Sequence, residues 1–146
     1  MTDIAFHFGA PDKWAYACRL LRKASGSGAR VQVLVPEPMV AKLDADLWAV
    51  AATEFVTHCT SAADNSVKSR SAMLLVSDMV DSIAPRQVLV NLGNAVPSQF
   101  DTFQRVIEVV SLDETDRLGA RARWKRYTEL GYPITRHDLA LRGDKG

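Results

Sequence analysis

The sequence is poor in cysteine and nearly neutral. These two features argue against a disulfide-rich or zinc-binding protein and against a protein that binds nucleic acid through its overall charge. It contains two cysteines, Cys18 and Cys59, which are far apart and form no C-x-x-C pair. Both stand in apolar surroundings, so we expect buried thiols and neither a disulfide nor a zinc site. The formal net charge is only +1, which argues against a chain that binds nucleic acid through its overall charge. Any electrostatic binding must therefore come from a local patch.

Long apolar runs are also missing. No stretch approaches the roughly 18 apolar residues that a membrane-spanning helix needs, and the opening MTDIAFHFGAPDKW does not have the pattern of a signal peptide. The hydrophobic fraction of 47% and the charged fraction of 24% are typical of an ordinary soluble globular protein. We therefore expect one domain over residues 1–146, located in the cytoplasm and without membrane contact.

The usual signatures of catalytic and cofactor sites are absent as well. The glycines of ASGSGAR (24–30) follow a helical pattern and precede a strand, which is the wrong end for a phosphate-binding loop. The acids of SLDETDR (111–117) fit a helix start, capped by Ser111 or Asp113, better than a catalytic carboxylate pair. None of the three histidines has the spacing of metal ligands: His7, His58 and His137. The sequence thus predicts no cofactor, no metal and no catalysis.

Strand-like and helical patterns alternate along the chain. Short apolar runs that predict strands occur at 4–10, 30–36, 73–78, 86–93 and 105–113. Helical spacing follows Pro11, returns over 37–50, and ends in a basic helix over 116–132. Because strands separated by helices need crossover connections, we predict a three-layer α/β/α domain with a mostly parallel central sheet and a C-terminal basic helix.

The terminal helix, DRLGARARWKRYTELGY (116–132), places a tryptophan among cations. At about 100° per residue, Arg117, Arg121 and Trp124 share one face, with Lys125 at its margin. Guanidinium groups bind carboxylates through forked hydrogen bonds and an indole supplies apolar area, so this face suits an acidic partner with an apolar side chain. Two alternatives stay open: Trp124 fills the core while the arginines only reach for solvent, or the face binds single-stranded nucleic acid.

The remaining residues of this helix are expected to serve other purposes. Arg123 and Arg126 should point away from the basic face and contribute only solubility. Ala120 and Tyr127 lie to the other side of that face. Gly131, together with the following proline, should end the helix.

A second candidate surface lies in LDADLWAVAATEFVTHC (43–59). Trp48 and Phe55 are two helical turns apart, so they share one face if the helix continues that far. Exposed aromatic side chains on such a face would suit a protein–protein contact, where buried aromatics supply much of the binding energy. The alternative, that both belong to the core, also stays open.

These segments resemble a known family. LDADLWAVAATEFVTHC, together with the stretch from VNLGNAVPSQF to RWKRYTELGY (90–132), is similar to the chi subunit of bacterial DNA polymerase III holoenzyme. The resemblance covers most of the chain. It depends on the order and spacing of the LDADLW helix, the VNL strand and the final basic helix, because no single motif is highly specific.

The resemblance implies a non-enzymatic accessory protein of the clamp loader with an α/β fold. Such a protein binds a psi subunit, here through Trp48 and Phe55. It also binds the acidic C-terminal tail of the single-stranded DNA-binding protein, so that its link to DNA is mainly indirect. Carried over by position, the tail site consists of four residues: Val110, Arg117, Arg121 and Trp124. Two readings of a different class stay open, a nucleotide-binding α/β enzyme and a direct single-stranded DNA-binding module.

Overall fold

The computed structural model describes residues 2–26, 30–50, 58–60, 73–76, 87–93, 95–97 and 99–138. Its strands are β1 (Asp3–Ala10), β2 (Val31–Leu34), β3 (His58–Thr60), β4 (Met73–Val76), β5 (Val88–Asn91), β6 (Arg105–Ser111) and β7 (Ile134–Asp138). Its helices are α1 (Lys13–Gly26), α2 (Val40–Val50) and α3 (Glu114–Glu129), with short 3-10 turns at Glu37–Met39 and Phe100–Thr102. In this part of the chain the strands form one sheet in the order β3-β4-β2-β5-β6-β1-β7.

The sheet is parallel and is covered on both faces. Every pairing between the described strands is parallel. One apolar cluster joins α1 and α2 to the sheet through residues such as Leu21, Leu43 and Val33. A second cluster on the opposite face includes Phe6 of β1 and Tyr127 of α3. The prediction of an α/β fold with a parallel sheet is confirmed. No helix among the described residues is long and apolar enough to cross a bilayer.

Two strands, β3 and β7, were not predicted from the sequence, and a simple reason explains each omission. β3 is only three residues long and begins beyond the helical pattern predicted over 37–50. β7 follows the terminal helix, and its sequence ITRHD contains one apolar residue, Ile134. Both strands are at the edges of the described sheet. An edge strand buries less apolar surface, so its sequence carries a weaker hydrophobic signal.

The sheet order places α3 directly over β1. The helix leaves β6 on one side of β1 and leads to β7 on the other side. Because alternate side chains of a strand point to the same face, Ile4, Phe6 and Phe8 of β1 all lie on the side that α3 covers. Phe6 is fully buried there, and its ring centroid is 5.1 Å from that of Trp124. The crossover thus brings the basic helix onto an aromatic strand.

Capping interactions at both ends fix the length of α3. Asp113 is the N-cap, and its carboxylate accepts a hydrogen bond from the Asp116 amide, which confirms one of the two predicted caps. At the other end, the amide of Gly131 donates to the Thr128 carbonyl and the amide of Tyr132 to the Tyr127 carbonyl. This is a Schellman arrangement, and Gly131 adopts the left-handed conformation that it requires, with φ 86°. The turn directs the chain into β7.

Asp116 also ties the first turn of α3 to two other elements. Its carboxylate accepts a hydrogen bond of 2.8 Å from the Ser111 amide at the end of β6. The Lys13 ammonium at the start of α1 lies 3.2 Å from the same carboxylate, and both side chains are 11% exposed. Burial alone would raise the pKa of Asp116, but the Ser111 amide and the Lys13 charge outweigh it and hold the pKa below its ordinary value.

The inner face of α3 carries a buried ion pair, which corrects the expectation for Arg123. This arginine does not point to solvent: it is 2% exposed, and its Nε donates to Glu108 of β6 at 2.9 Å. The fully buried Glu108 carboxylate also accepts hydrogen bonds from the Tyr127 hydroxyl at 2.7 Å and from Asn91 Nδ2 at 2.9 Å. The sequence pattern missed this because a buried arginine needs an acidic partner that a helical wheel does not show.

We predict that Arg123→Leu destabilises the fold by about 3–5 kcal/mol, because it leaves the buried Glu108 carboxylate without its counter-ion. Urea unfolding followed by circular dichroism measures this loss. The double variant Glu108→Leu with Arg123→Leu should recover part of the stability, since it removes both buried charges. A double variant that is less stable than Arg123→Leu alone would contradict the pairing.

We predict that the Asp116→Asn substitution lowers stability at pH 7 and that this difference shrinks in acid. The folded-state pKa of Asp116 is lowered from its reference value of 3.8, so the stabilisation is complete above pH 3.8 and is lost as the pH falls through the folded pKa. Urea midpoints of both proteins from pH 7 to pH 3 test the sign. A difference that stays constant over that range would contradict it.

Candidate functional site

A basic and aromatic pocket opens between α3 and the edge of the sheet. It has a volume of about 270 Å³, close to the lower limit for ligand pockets in proteins. Its lining combines four cations with two aromatic rings: Phe8, Arg117, Arg121, Trp124, Lys125 and Arg136. We call this set the basic pocket. Three of the four residues assigned to the tail site from the sequence are brought together here.

Trp124 contributes to both the core and the pocket. It is half-buried, packs against the apolar cluster under α3, and lines the pocket at the same time. Its ring centroid lies 5.9 Å from that of Phe8. Each helical residue advances by about 100°, which places Trp124 between the inner row of Ala120 and Tyr127 and the outer row of arginines. The two readings of this tryptophan are therefore compatible.

Arg117 and Arg121 extend into solvent along one side of the pocket. Both are exposed, and they are four residues apart, so successive turns of α3 present them on the same face. Among the residues that the structure describes, no carboxylate forms an ion pair with either of them. Lys125 continues the row one turn further along. Within the described part of the chain, an anion could bind Arg117 and Arg121 without breaking an ion pair.

Val110 has a different position from the one its assignment implied. It belongs to β6, is fully buried, and sits in the apolar cluster beneath α3. It does not line the basic pocket. Val110 belongs to the same apolar cluster against which Trp124 packs, and its side chain is not accessible to a ligand in this structure.

Two lining residues, Phe8 and Arg136, were missed by sequence analysis. Phe8 is in β1, and Arg136 is in β7, the strand that escaped prediction. The carbon of the Arg136 guanidinium group lies 4.7 Å from the centroid of the Phe8 ring, a cation–π contact. The alternation of Ile4, Phe6 and Phe8 was a usable signal for one apolar face. Only the pairing of β7 with β1 reveals that Arg136 joins it.

The second candidate surface is largely outside the described residues. Trp48 belongs to α2, but its side chain is not among those that the structure describes, and Phe55 lies in the segment 51–57, also outside them. The helix is described as far as Val50, and the chain is extended again at His58. The assignment of Trp48 and Phe55 to a partner surface therefore stays a prediction.

The sheet also brings together residues that are far apart in the sequence. The rings of His7 and His137 are 4.7 Å apart between centroids, because β1 and β7 pair in register at these positions. The Tyr16 hydroxyl lies 2.6 Å from His7 Nδ1. Within the part of the chain that the structure describes, no group of three histidine, cysteine or acidic side chains is arranged to hold a metal ion. Cys18 is buried, as predicted.

The fold is similar to that of a much larger solved protein. The chain superposes on Saccharomyces cerevisiae Dbp5, solved bound to RNA and ADP BeF3, with a TM-score of 0.69 and 12% sequence identity. The match covers 99% of this chain and only 44% of that one. At this identity the likeness establishes a shared α/β architecture alone.

The sequence itself matches a family of replication proteins. Residues 1–135 match the family model described as "DNA polymerase III chi subunit, HolC". The DNA polymerase III subunit chi of Pseudomonas aeruginosa is 32% identical over 124 residues, which are 84% of each chain. The resemblance to this family, which extends over most of the sequence, is thereby confirmed: this chain belongs to the DNA polymerase III chi subunit family.

Proposed function

We propose that this chain is a non-catalytic accessory subunit of the replicative polymerase assembly, and that its basic pocket binds the acidic C-terminal tail of the single-stranded DNA-binding protein. A psi-type subunit would connect it to the clamp loader through the surface around Trp48 and Phe55. The observation that carries the proposal is the basic pocket, in a chain of this family.

The chemistry of the pocket fits a short acidic peptide that ends in an apolar residue. Arg117 and Arg121 can each bind a carboxylate through forked hydrogen bonds. Trp124 and Phe8 offer ring surface on which an apolar side chain can lie. Four cations around one pocket also repel one another, and an anionic ligand relieves that repulsion. The hydrogen bonds, the ring surface and the relief of repulsion together favour a peptide that has acids next to an apolar group.

Direct binding of single-stranded nucleic acid is the closest rival, because cations and aromatic rings also suit stacked bases. The size of the site favours the peptide. Proteins that bind single strands use grooves that track several nucleotides of backbone, whereas here the cations and the two rings line one local pocket. Titration with an oligonucleotide in the absence of any coating protein separates the two ligands.

A nucleotide-binding enzyme is the other rival, and the described residues give it little support. The structural likeness to Dbp5 concerns architecture at 12% identity, and the sequence has no phosphate-binding loop of the Walker type. A thermal shift assay with ATP, GTP or NAD tests this reading, because a ligand at 100 times its dissociation constant stabilises its protein by about 2.7 kcal/mol.

We predict that Arg121→Ala weakens binding of an acidic, phenylalanine-ended peptide about tenfold to hundredfold, since a hydrogen bond to a charged group contributes roughly 1.5–3 kcal/mol. Arg117→Ala should weaken it less. Isothermal titration or fluorescence anisotropy measures the affinity. Binding to the wild-type protein should weaken as salt rises, because exposed charge pairs are screened over about 8–10 Å at physiological ionic strength.

Arg126→Ala is the matched control. Arg126 is also an arginine of α3 and is 59% exposed, but it lies near Glu129 and does not line the pocket. It should leave peptide affinity unchanged. Equal losses in the Arg121 and Arg126 variants would show that net charge, and not this pocket, accounts for binding.

For the second surface, we predict that Trp48→Ala or Phe55→Ala abolishes the complex with a psi subunit while peptide affinity stays at the wild-type level. The reason is that large aromatic side chains provide most of the energy at the centre of a typical interface. Co-purification of the two subunits measures the complex. If either variant unfolds, as judged by circular dichroism, the residue belongs to the core and the assignment fails.

A further inference from the structure

Arg136 reaches the basic pocket from a different element than the other cations. Arg117, Arg121 and Lys125 extend from α3, whereas Arg136 extends from β7 at the edge of the sheet. Ile134 packs into the cluster under α3, and side chains two residues apart on a strand point to the same face. The register of β7 on β1 therefore directs Arg136 towards the pocket.

The aromatic floor lies between these two cationic walls. The guanidinium carbon of Arg136 is 4.7 Å from the centroid of Phe8, and the rings of Phe8 and Trp124 are 5.9 Å apart. Trp124 belongs to the same helix as Arg117 and Arg121. The two rings therefore connect Arg136 to the helix that carries Arg117 and Arg121. A cation–π contact orients the guanidinium group without neutralising its charge, so Arg136 stays able to bind an anion.

Among the described residues, Asp138 forms a loose ion pair with Arg136. Asp138 Oδ2 is 3.6 Å from Arg136 Nη2, and the two side chains are 26% and 61% exposed. The Arg136 side of this pair is exposed and Asp138 is half-buried, so water and salt screen the pair in part and it contributes little. A ligand carboxylate can replace Asp138 at small cost.

We propose that Arg136 is a specificity-determining residue that binds a second negative group of the ligand, across the aromatic floor from the group held by Arg117 and Arg121. This inference rests on the proposed binding of an acidic peptide tail. The preferred ligand then has an apolar side chain with a carboxylate on each side of it. In a chain-terminal segment, one of these is an acidic side chain and the other is the terminal carboxylate.

A clamp with charge on both sides discriminates more strongly than a single basic row. A peptide that satisfies only one wall leaves the other cations unpaired beside the bound ligand, so its affinity falls relative to a peptide that satisfies both. The two walls also fix the direction in which the peptide runs. Arg136 therefore affects which acidic segments bind, beyond its effect on the total charge.

The test compares Arg136→Gln with the wild-type protein on three peptides. The parent peptide is acidic and ends in a phenylalanine with a free carboxylate. The second has a terminal amide, and the third has asparagine in place of its aspartates. We expect Arg136→Gln to weaken the parent about tenfold. The loss should disappear on only one of the two neutralised peptides, the one that lacks the group bound by Arg136, and this identifies that group.

Two results would overturn the inference. Arg136→Gln could bind the parent peptide as tightly as wild type, or it could weaken all three peptides by the same factor, which is the behaviour of a general charge effect. Arg126→Gln is the matched control and should change none of the affinities. Failure of the wild-type protein to bind the parent peptide would instead defeat the proposed function, so the two failures are distinguishable.

Asp138→Asn gives a second and opposite readout. Removing the internal acid should strengthen binding of the parent peptide about threefold in the wild-type background. The same substitution should have no effect in the Arg136→Gln background. No gain in the first background, or an equal gain in both, would overturn the role of Arg136.

Discussion

The position of α3 over β1 depends on the Glu108 carboxylate buried beneath the helix. Burial of an ion is costly unless it is paired and hydrogen-bonded, and here Asn91, Arg123 and Tyr127 all donate to it. Burial raises the pKa of Glu108, while the Arg123 charge and the hydrogen bonds act in the opposite direction. Burial and the neighbouring carboxylate also raise the pKa of Tyr127, which keeps its hydroxyl protonated as a donor. A helix rotated or shifted by one residue would lose these bonds, so the network sets the rotation of α3 and thereby turns Arg117 and Arg121 outwards.

Trp124 connects this packing to the proposed binding. Its indole lies against Phe6 in the interior and beside Phe8 at the surface, so the same side chain stabilises the helix and forms the floor of the pocket. A residue with both roles is held rigidly before a ligand arrives. Preorganisation of this kind improves affinity, because less side-chain entropy is lost on binding. The Glu108 network supports the indole indirectly by keeping α3 at its distance from β1.

Most of the fold could be predicted from the sequence, because the buried strands of a parallel sheet are short valine- and leucine-rich runs that stand out between helical patterns. The edge strand β7 could not be predicted, because its sequence ITRHD contains one apolar residue and buries little apolar surface. The candidate site was predicted where it depends on one element: helical spacing was enough to group Arg117, Arg121 and Trp124. The prediction of the site failed where the site depends on contacts between two elements. Arg136 lines the pocket because β7 pairs with β1. Arg123 is buried because it pairs with Glu108, an acid fifteen residues away in the sequence. Neither contact can be recognised from the residues next to it in the sequence.

The distribution of charge gives a nearly neutral chain one local site that suits an anion. Four cations border the basic pocket, whereas the net charge of the chain is +1, so the remainder of the molecule is acidic on balance. Beyond a Debye length of about 8–10 Å the positive field of the pocket is screened. Attraction is therefore local, and a long polyanion gains little because it would also meet the acidic remainder. Non-specific affinity for nucleic acid grows with the number of phosphates contacted, and one pocket offers few contacts. A short acidic segment with its own apolar group can contact both the cations and the rings of the pocket. We therefore expect the pocket to bind a protein tail more tightly than a DNA strand.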